Sequence, residues 1–265
     1  MYLADCHVHT SVSADAEVPM VELAKLALEA GLNEVCFTDH VEPEVVFGAR
    51  FDWNLLTSEF EKAQQAMGDR ICLRMGIELG DAVYDLKHTE KLLADLPEVD
   101  FIIGSIHILS VVFDYQDLVY FKPENQTELH KGLADYLRLV KKLAEWGKFS
   151  VLGHLTLPLR YLREEHQIPA TFDGFEKEIE EIFRILIANG CGIELNTNRG
   201  HLPLPDAKWL KMYRELGGEI ITLGTDAHRP IDLGCAIRER QKLLKDCGFT
   251  KFCTFEKMKP IWHDL

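Results

Sequence analysis

Tyr2-Leu3-Ala4-Asp5-Cys6-His7-Val8-His9-Thr10 begins as a short apolar run and ends in side chains that bind metals. A strand has a side-chain period of two, so His7 and His9 point to the same side, where two imidazoles can share one cation. The pattern of an apolar run ending in polar groups then repeats. Six further strand-like runs lie near 34–38, 71–79, 101–106, 149–152, 191–195 and 219–223. They carry or lead into Thr38-Asp39-His40, Glu78, Ser105 with His107, Gly153-His154, Glu194 with Asn196, and Gly224-Thr225-Asp226-Ala227-His228.

Amphipathic stretches near 19–30, 55–67, 82–94, 126–146, 174–189, 206–216 and 235–244 separate these runs and read as helices. Pro19 suits a first helical turn. Gly31, Asn189-Gly190 and Gly217-Gly218 suit helix ends. Strands alternating with helices imply parallel strands covered by helices. The expected fold is α/β, a distorted (β/α)7 TIM-like barrel, with a doubly wound open sheet as the alternative. In a barrel all strand C-terminal ends share one face, where catalytic groups collect.

Composition narrows the function. The 265 residues are 47% hydrophobic and 27% charged, in keeping with one domain over 1–265. A net charge of -14 lacks the basic footprint that nucleic acid or an anionic membrane requires. No apolar run is long enough to span a bilayer, and Asp5, His7 and His9 occupy the place of a signal-peptide core. The seven cysteines are scattered with no C-x-x-C pair, which suits reduced thiols in a cytoplasmic protein.

A lone histidine at a strand end is ordinarily a hydrogen-bonded core residue. Histidines on five strand ends with Glu78 on another strand are different, because metal coordination pairs all these buried polar groups at once. Asp226-x-His228 repeats the geometry of His7-x-His9. His88, His130 and His263 read as surface residues, and His166 and His201 as loop residues on the active face. Glu194 is open to facing outward or supporting the site. Cys6 points away from the site if the alternation is strict.

Asp5-Cys6-His7-Val8-His9-Thr10, Thr38-Asp39-His40, Glu78, His107, His154 and Gly224-Thr225-Asp226-Ala227-His228 together resemble the motifs of the polymerase-and-histidinol-phosphatase (PHP) superfamily. Ser13-Ala14-Asp15, Arg160-Tyr161, Glu194-Leu195-Asn196-Thr197 with Arg199, and the tail at 252–260 resemble its histidinol-phosphatase branch. The resemblance implies a barrel with three divalent metal ions (Zn, Mn or Fe). His7, His9, Glu78 and Asp226 would hold the first. Glu78 would bridge to the second, held also by His107 and His154. Asp15, His40 and His228 would hold the third.

The implied reaction is hydrolysis of a small phosphorylated substrate, first L-histidinol phosphate in histidine biosynthesis. A metal-bridging hydroxide held via Glu78 and Asp226 would attack phosphorus, with Arg160 and Arg199 gripping the phosphate oxygens. Asp5 and Asp39 are expected to orient ligating imidazoles. Loops at 108–125 and 156–172, with Tyr115, Tyr120 and Tyr161, would shape the pocket. Alternatives are a related phosphatase or phosphodiesterase acting on nucleotides or another small ester, and a non-catalytic metal-binding module. An amidohydrolase-type barrel would usually want a strand-borne lysine, and none is apparent.

Overall fold

The structure is a computed structural model and describes residues 1–42 and 51–265. Strands β1 (Ala4–Val8), β2 (Glu34–Val41), β3 (Cys72–Gly80), β4 (Phe101–Ser105), β5 (Val151–Leu152), β6 (Gly192–Asn196) and β7 (Ile221–Gly224) form one sheet in sequential order. All six pairings between neighbours are parallel. A parallel bridge between Val8 and Ala227 closes the sheet into a barrel. Asp226 N donates to His7 O at 2.8 Å, and His9 N to Ala227 O at 2.9 Å. This closure rules out the open doubly wound sheet.

Two features distort the barrel. β5 has two residues, and the β1–β2 register shifts between Asp5 and Val8. Seven helices fall on the seven expected stretches: α1 (Met20–Glu29), α2 (Trp53–Met67), α3 (Leu86–Ala94), α4 (Gln126–Trp146), α6 (Glu176–Ala188), α7 (Ala207–Glu215) and α8 (Ile237–Asp246). The sequence pattern did not signal α5 (Pro158–Arg160), which runs on as a π-turn over Tyr161–Glu165.

α4 shows how local chemistry sets these elements. The Asn125 side chain accepts from Thr127 N and Glu128 N, and Gly147 ends the helix at φ 62°, a conformation glycine adopts without a Cβ penalty. Leu129, Leu133, Tyr136, Leu137, Val140, Leu143 and Ala144 form its buried stripe. Each large apolar side chain there contributes about 2 kcal/mol on burial.

The chain then adds an antiparallel hairpin, β8 (Lys251–Glu256) and β9 (Lys259–Asp264), that the sequence reading treated only as a tail. The hairpin packs under the end of the barrel opposite the histidines. Phe252, Cys253, Thr254 and Phe255 are buried. Phe255 lies 5.0 Å from Phe101, Cys253 Sγ reaches Ile221 O at 3.5 Å, and Met258 N donates to Asp100 O at 2.9 Å. His263, expected at the surface, instead stacks on Tyr2 with ring centroids 4.0 Å apart. Its Nε2 is 2.9 Å from Thr254 Oγ1, and burial lowers its pKa.

Candidate metal centre

Every strand end contributes to one cluster at the C-terminal mouth of the barrel. Glu78 is its hub. The β2–β3 register sets His40 beside Glu78, and the β3–β4 register sets Glu78 beside Ile103, so the carboxylate points inward with no solvent exposure. Its Oε2 lies 3.3 Å from His7 Nε2 and 3.4 Å from His9 Nε2. Its Oε1 lies 3.3 Å from His107 Nε2 and 2.8 Å from His154 Nε2, and accepts from Ser105 Oγ at 2.6 Å. One carboxylate thus offers one oxygen to each of two imidazole pairs.

Asp226 closes the first group from across the barrel seam. Its Oδ1 is 3.5 Å from His7 Nε2 and 3.2 Å from His9 Nε2. It sits at φ 58°, in the left-handed region that a non-glycine residue keeps only when its surroundings demand it. The third group lies toward solvent. Asp15 Oδ2 is 3.4 Å from His40 Nε2 and 3.1 Å from His228 Nε2, and these two nitrogens are 3.4 Å apart. Glu42, which the sequence reading overlooked, brings Oε1 to 3.6 Å from His107 Nδ1 and groups with His40 and His107.

Protons alone do not resolve this packing. His7 Nε2 and His9 Nε2 face each other at 3.1 Å, and two neutral imidazoles there can share only one proton. Among the described residues Glu78 Oε2 is buried without a hydrogen-bond partner, and His40 Nδ1, 3.1 Å from it, is out of line for one. A cation accepts all these lone pairs together, so the residues fit divalent metal ions with mixed nitrogen and oxygen ligands. The electrostatics agree. Burial raises the Glu78 carboxyl pKa, but the imidazoles of His7, His107 and His40 outweigh it and hold the group well below the usual range. Asp226 behaves alike, burial being outweighed by His7 and Arg160. Burial pushes the His7 pKa down, while Glu194, Glu78 and Asp226 push it further up.

Glu194 is the supporting residue left undecided by the sequence. It faces inward on β6, fully buried. Its Oε1 meets His7 Nδ1 at 2.7 Å, and its Oε2 accepts from His154 N at 2.8 Å. This fixes the His7 ring and its tautomer, leaving Nε2 for the cluster. Glu194→Ala is therefore expected to lower metal affinity about 10- to 100-fold with the fold retained, checked by metal titration and circular dichroism.

Asp5 and Asp39 do something other than expected, since neither carboxylate touches an imidazole. The register shift after Asp5 breaks the alternation, and Asp5 accepts instead from Thr225 N (2.9 Å), Thr225 Oγ1 (2.6 Å) and Gly234 N (3.0 Å). It clips β1 to β7, and burial raises its pKa to about 6. Asp39 points to the opposite side of β2 from His40. It accepts from Thr10 N, Thr10 Oγ1 and Ser13 Oγ, so it holds the loop that carries Asp15. Asp81, also unforeseen, accepts from His107 N at 3.0 Å and fixes the backbone beneath that ring.

A cavity of about 320 Å³ opens over the cluster, with Asp15, His40, His107, Asp226 and His228 on its floor and Asp117, Leu157, Arg160 and Tyr161 in its walls. Arg160 is buried and held on three sides. Nη1 donates to Asp226 Oδ2 at 2.7 Å, Nε to Asn198 Oδ1 at 2.8 Å, and Nη2 to Asn196 Oδ1 at 3.0 Å. Arg199 sits farther out, with Nη2 3.3 Å from Glu164, beside an adjoining hollow that also touches Arg160 and His228. Among the expected aromatics Tyr161 lines the cavity, whereas Tyr115 and Tyr120 are exposed at 53% and 71%. His166 ties two loops together through Val119 O, and His201 is exposed.

A parallel seven-stranded barrel with histidines and carboxylates gathered at the strand C-terminal ends defines a barrel protein with a metal-competent centre. The chain belongs to the PHP domain family, whose model matches residues 5–198. It is 27% identical to a probable histidinol-phosphatase of Deinococcus radiodurans, covering 97% of this chain and 99% of that protein. It is 28% identical to the histidinol-phosphatase of Lactococcus lactis, covering 96% and 95%. Among solved structures it is similar to a histidinol phosphate phosphatase from Lactococcus lactis in complex with zinc, L-histidinol and phosphate. The TM-score is 0.80 at 26% identity, with 98% of each chain covered.

Proposed function

We propose that this protein is a metal-dependent phosphomonoesterase that hydrolyses L-histidinol phosphate to L-histidinol and phosphate. The observation that carries this reading is the two-sided use of Glu78, one oxygen toward His7 and His9 and the other toward His107 and His154, beneath a cavity walled by a buried arginine. Full-length similarity to histidinol-phosphatases, one of them solved with zinc, histidinol and phosphate, supports the substrate.

In the proposed site His7, His9, Glu78 and Asp226 would hold one ion, Glu78, His107 and His154 a second, and Asp15, His40 and His228 a third. Zinc is the first metal to test, then manganese and iron. Bound divalent ions supply two things: a water acidified toward neutral pH and neutralisation of charge on the phosphoryl oxygens. Glu78 and Asp226 would hold the ions that acidify the attacking water. The pair between Arg160 and Asp226 keeps the guanidinium facing the cavity, with its remaining N–H groups available to a phosphate oxygen. Arg199 offers a second, more exposed donor from the rim. The expected setting is histidine biosynthesis in the cytoplasm.

The test is phosphate release by enzyme of assayed metal content across histidinol phosphate, nucleoside monophosphates and a phosphodiester. The expected result is a kcat/KM for histidinol phosphate at least about tenfold above any other ester, abolished by chelation and restored by zinc or manganese. Equal or better turnover of a nucleotide or the diester would overturn the proposed substrate. Activity that survives complete metal removal would overturn the metal-dependent mechanism.

A further inference from the structure

In the hollow adjoining the cavity the cations are matched by carboxylates: Arg199 lies 3.3 Å from Glu164, Arg229 lies 3.0 Å from Asp232, and Glu165 lines the same hollow. Among the described residues the cavity itself holds no lysine or arginine besides Arg160, and away from that hollow it carries Glu42, Asp117 and Leu157, with Tyr161 between the two. With a phosphoryl group over the imidazoles and Arg160, this part of the cavity is left for its leaving alcohol. Glu42 is already engaged with the cluster through His107. Asp117 has no ion-pair partner among the described residues.

The fold fixes Asp117 firmly. It pairs with Ile108 in an antiparallel bridge, and the next residue, Leu118, donates its N–H to His107 O at 2.8 Å. One carboxylate oxygen caps the following turn by accepting from Val119 N at 2.9 Å. A carboxylate held this way in a cavity wall is pre-organised to receive a cation, and the neighbouring Tyr161 adds an aromatic ring to the same wall.

We infer that Asp117 is a specificity residue that receives an ammonium group on the leaving alcohol, so that the site selects phosphomonoesters of amino alcohols. This rests on the phosphomonoesterase reading and adds a reason for its choice of alcohol.

The experiment compares wild type with Asp117→Asn and Asp117→Ser, both able to keep the cap on Val119 N. The substrates are two matched pairs: histidinol phosphate against its deamino analogue, and O-phosphoethanolamine against ethyl phosphate. Wild type is expected to favour the ammonium member of each pair. Both variants should lose about tenfold in kcat/KM on the ammonium members, mostly through KM, the size of one partly solvated charge-assisted contact. Deamino esters and bound metal should be unchanged. Equal losses on both members of a pair, or full retention of the preference, would overturn the role of Asp117, as would a wild-type enzyme with no ammonium preference in either pair. Failure of the proposed substrate shows separately, as a wild type inactive on histidinol phosphate, while the second pair still reads Asp117.

Discussion

Glu78→Gln is expected to lower phosphatase activity by about a hundredfold to a thousandfold and to reduce bound metal, with the fold retained. The amide keeps the size of the side chain but offers one oxygen instead of two. It cannot face His7 and His9 with one oxygen and His107 and His154 with another, as the carboxylate does. It also removes the negative charge that the surrounding imidazoles hold in place. Loss of one charge-stabilising group in a preorganised site typically costs that much in kcat. Steady-state kinetics beside elemental analysis check the result. Near wild-type turnover with full metal content would show that the two-sided geometry of Glu78 has no catalytic consequence.

Gly224→Ala is expected to have the largest effect on stability. Gly224 ends β7 where the barrel closes on β1. A Cβ there would overlap His7 Cβ and the Glu194 carboxylate. Neither neighbour can yield, because His7 is fixed by its strand and Glu194 by bonds to His7 Nδ1 and His154 N. Overpacking at such a point costs about 3 kcal/mol and lowers Tm by roughly 10 °C. It also loosens the grip of Glu194 on His7, so metal affinity falls with stability. Thermal melts with and without added zinc measure both losses. An unchanged Tm would mean that the seam between β1 and β7 is looser than its contacts indicate.

The barrel was legible because each of its seven strands is an apolar run followed by a polar end, and that pattern survives irregularity in any one strand. β5 keeps two residues of ladder, yet Val151-Leu152 followed by Gly153-His154 still marked it. The cluster was legible because imidazoles and carboxylates seldom recur at strand ends without a shared partner. Supporting roles were less legible, since they depend on which face a side chain takes. Asp5 and Asp39 adjoin the histidine motifs in sequence, yet a register shift diverts one and strand alternation the other. Glu194 reads the same whether it faces in or out, and only the pairing of β6 with β7 turns it toward His7. The hairpin at 251–264 escaped notice because its alternation is short and its value lies in what it covers. Tyr2, Phe101 and Asp100, which it packs against, are far away in the chain.

The seam between the first and last barrel strands also governs when the centre can exist. Asp5 and Thr225 meet across 220 residues of chain. During synthesis at roughly 5–20 residues per second, β1 waits on the order of 10 s or more for its partner. Neighbouring strands such as β2 and β3 can pair within that interval, but His7 and His9 have no Asp226 to face until the seam forms. With the proposed ligand set, metal capture would be a late event in the making of this protein, and an ion held across the seam would act as a latch on a ring that has just closed.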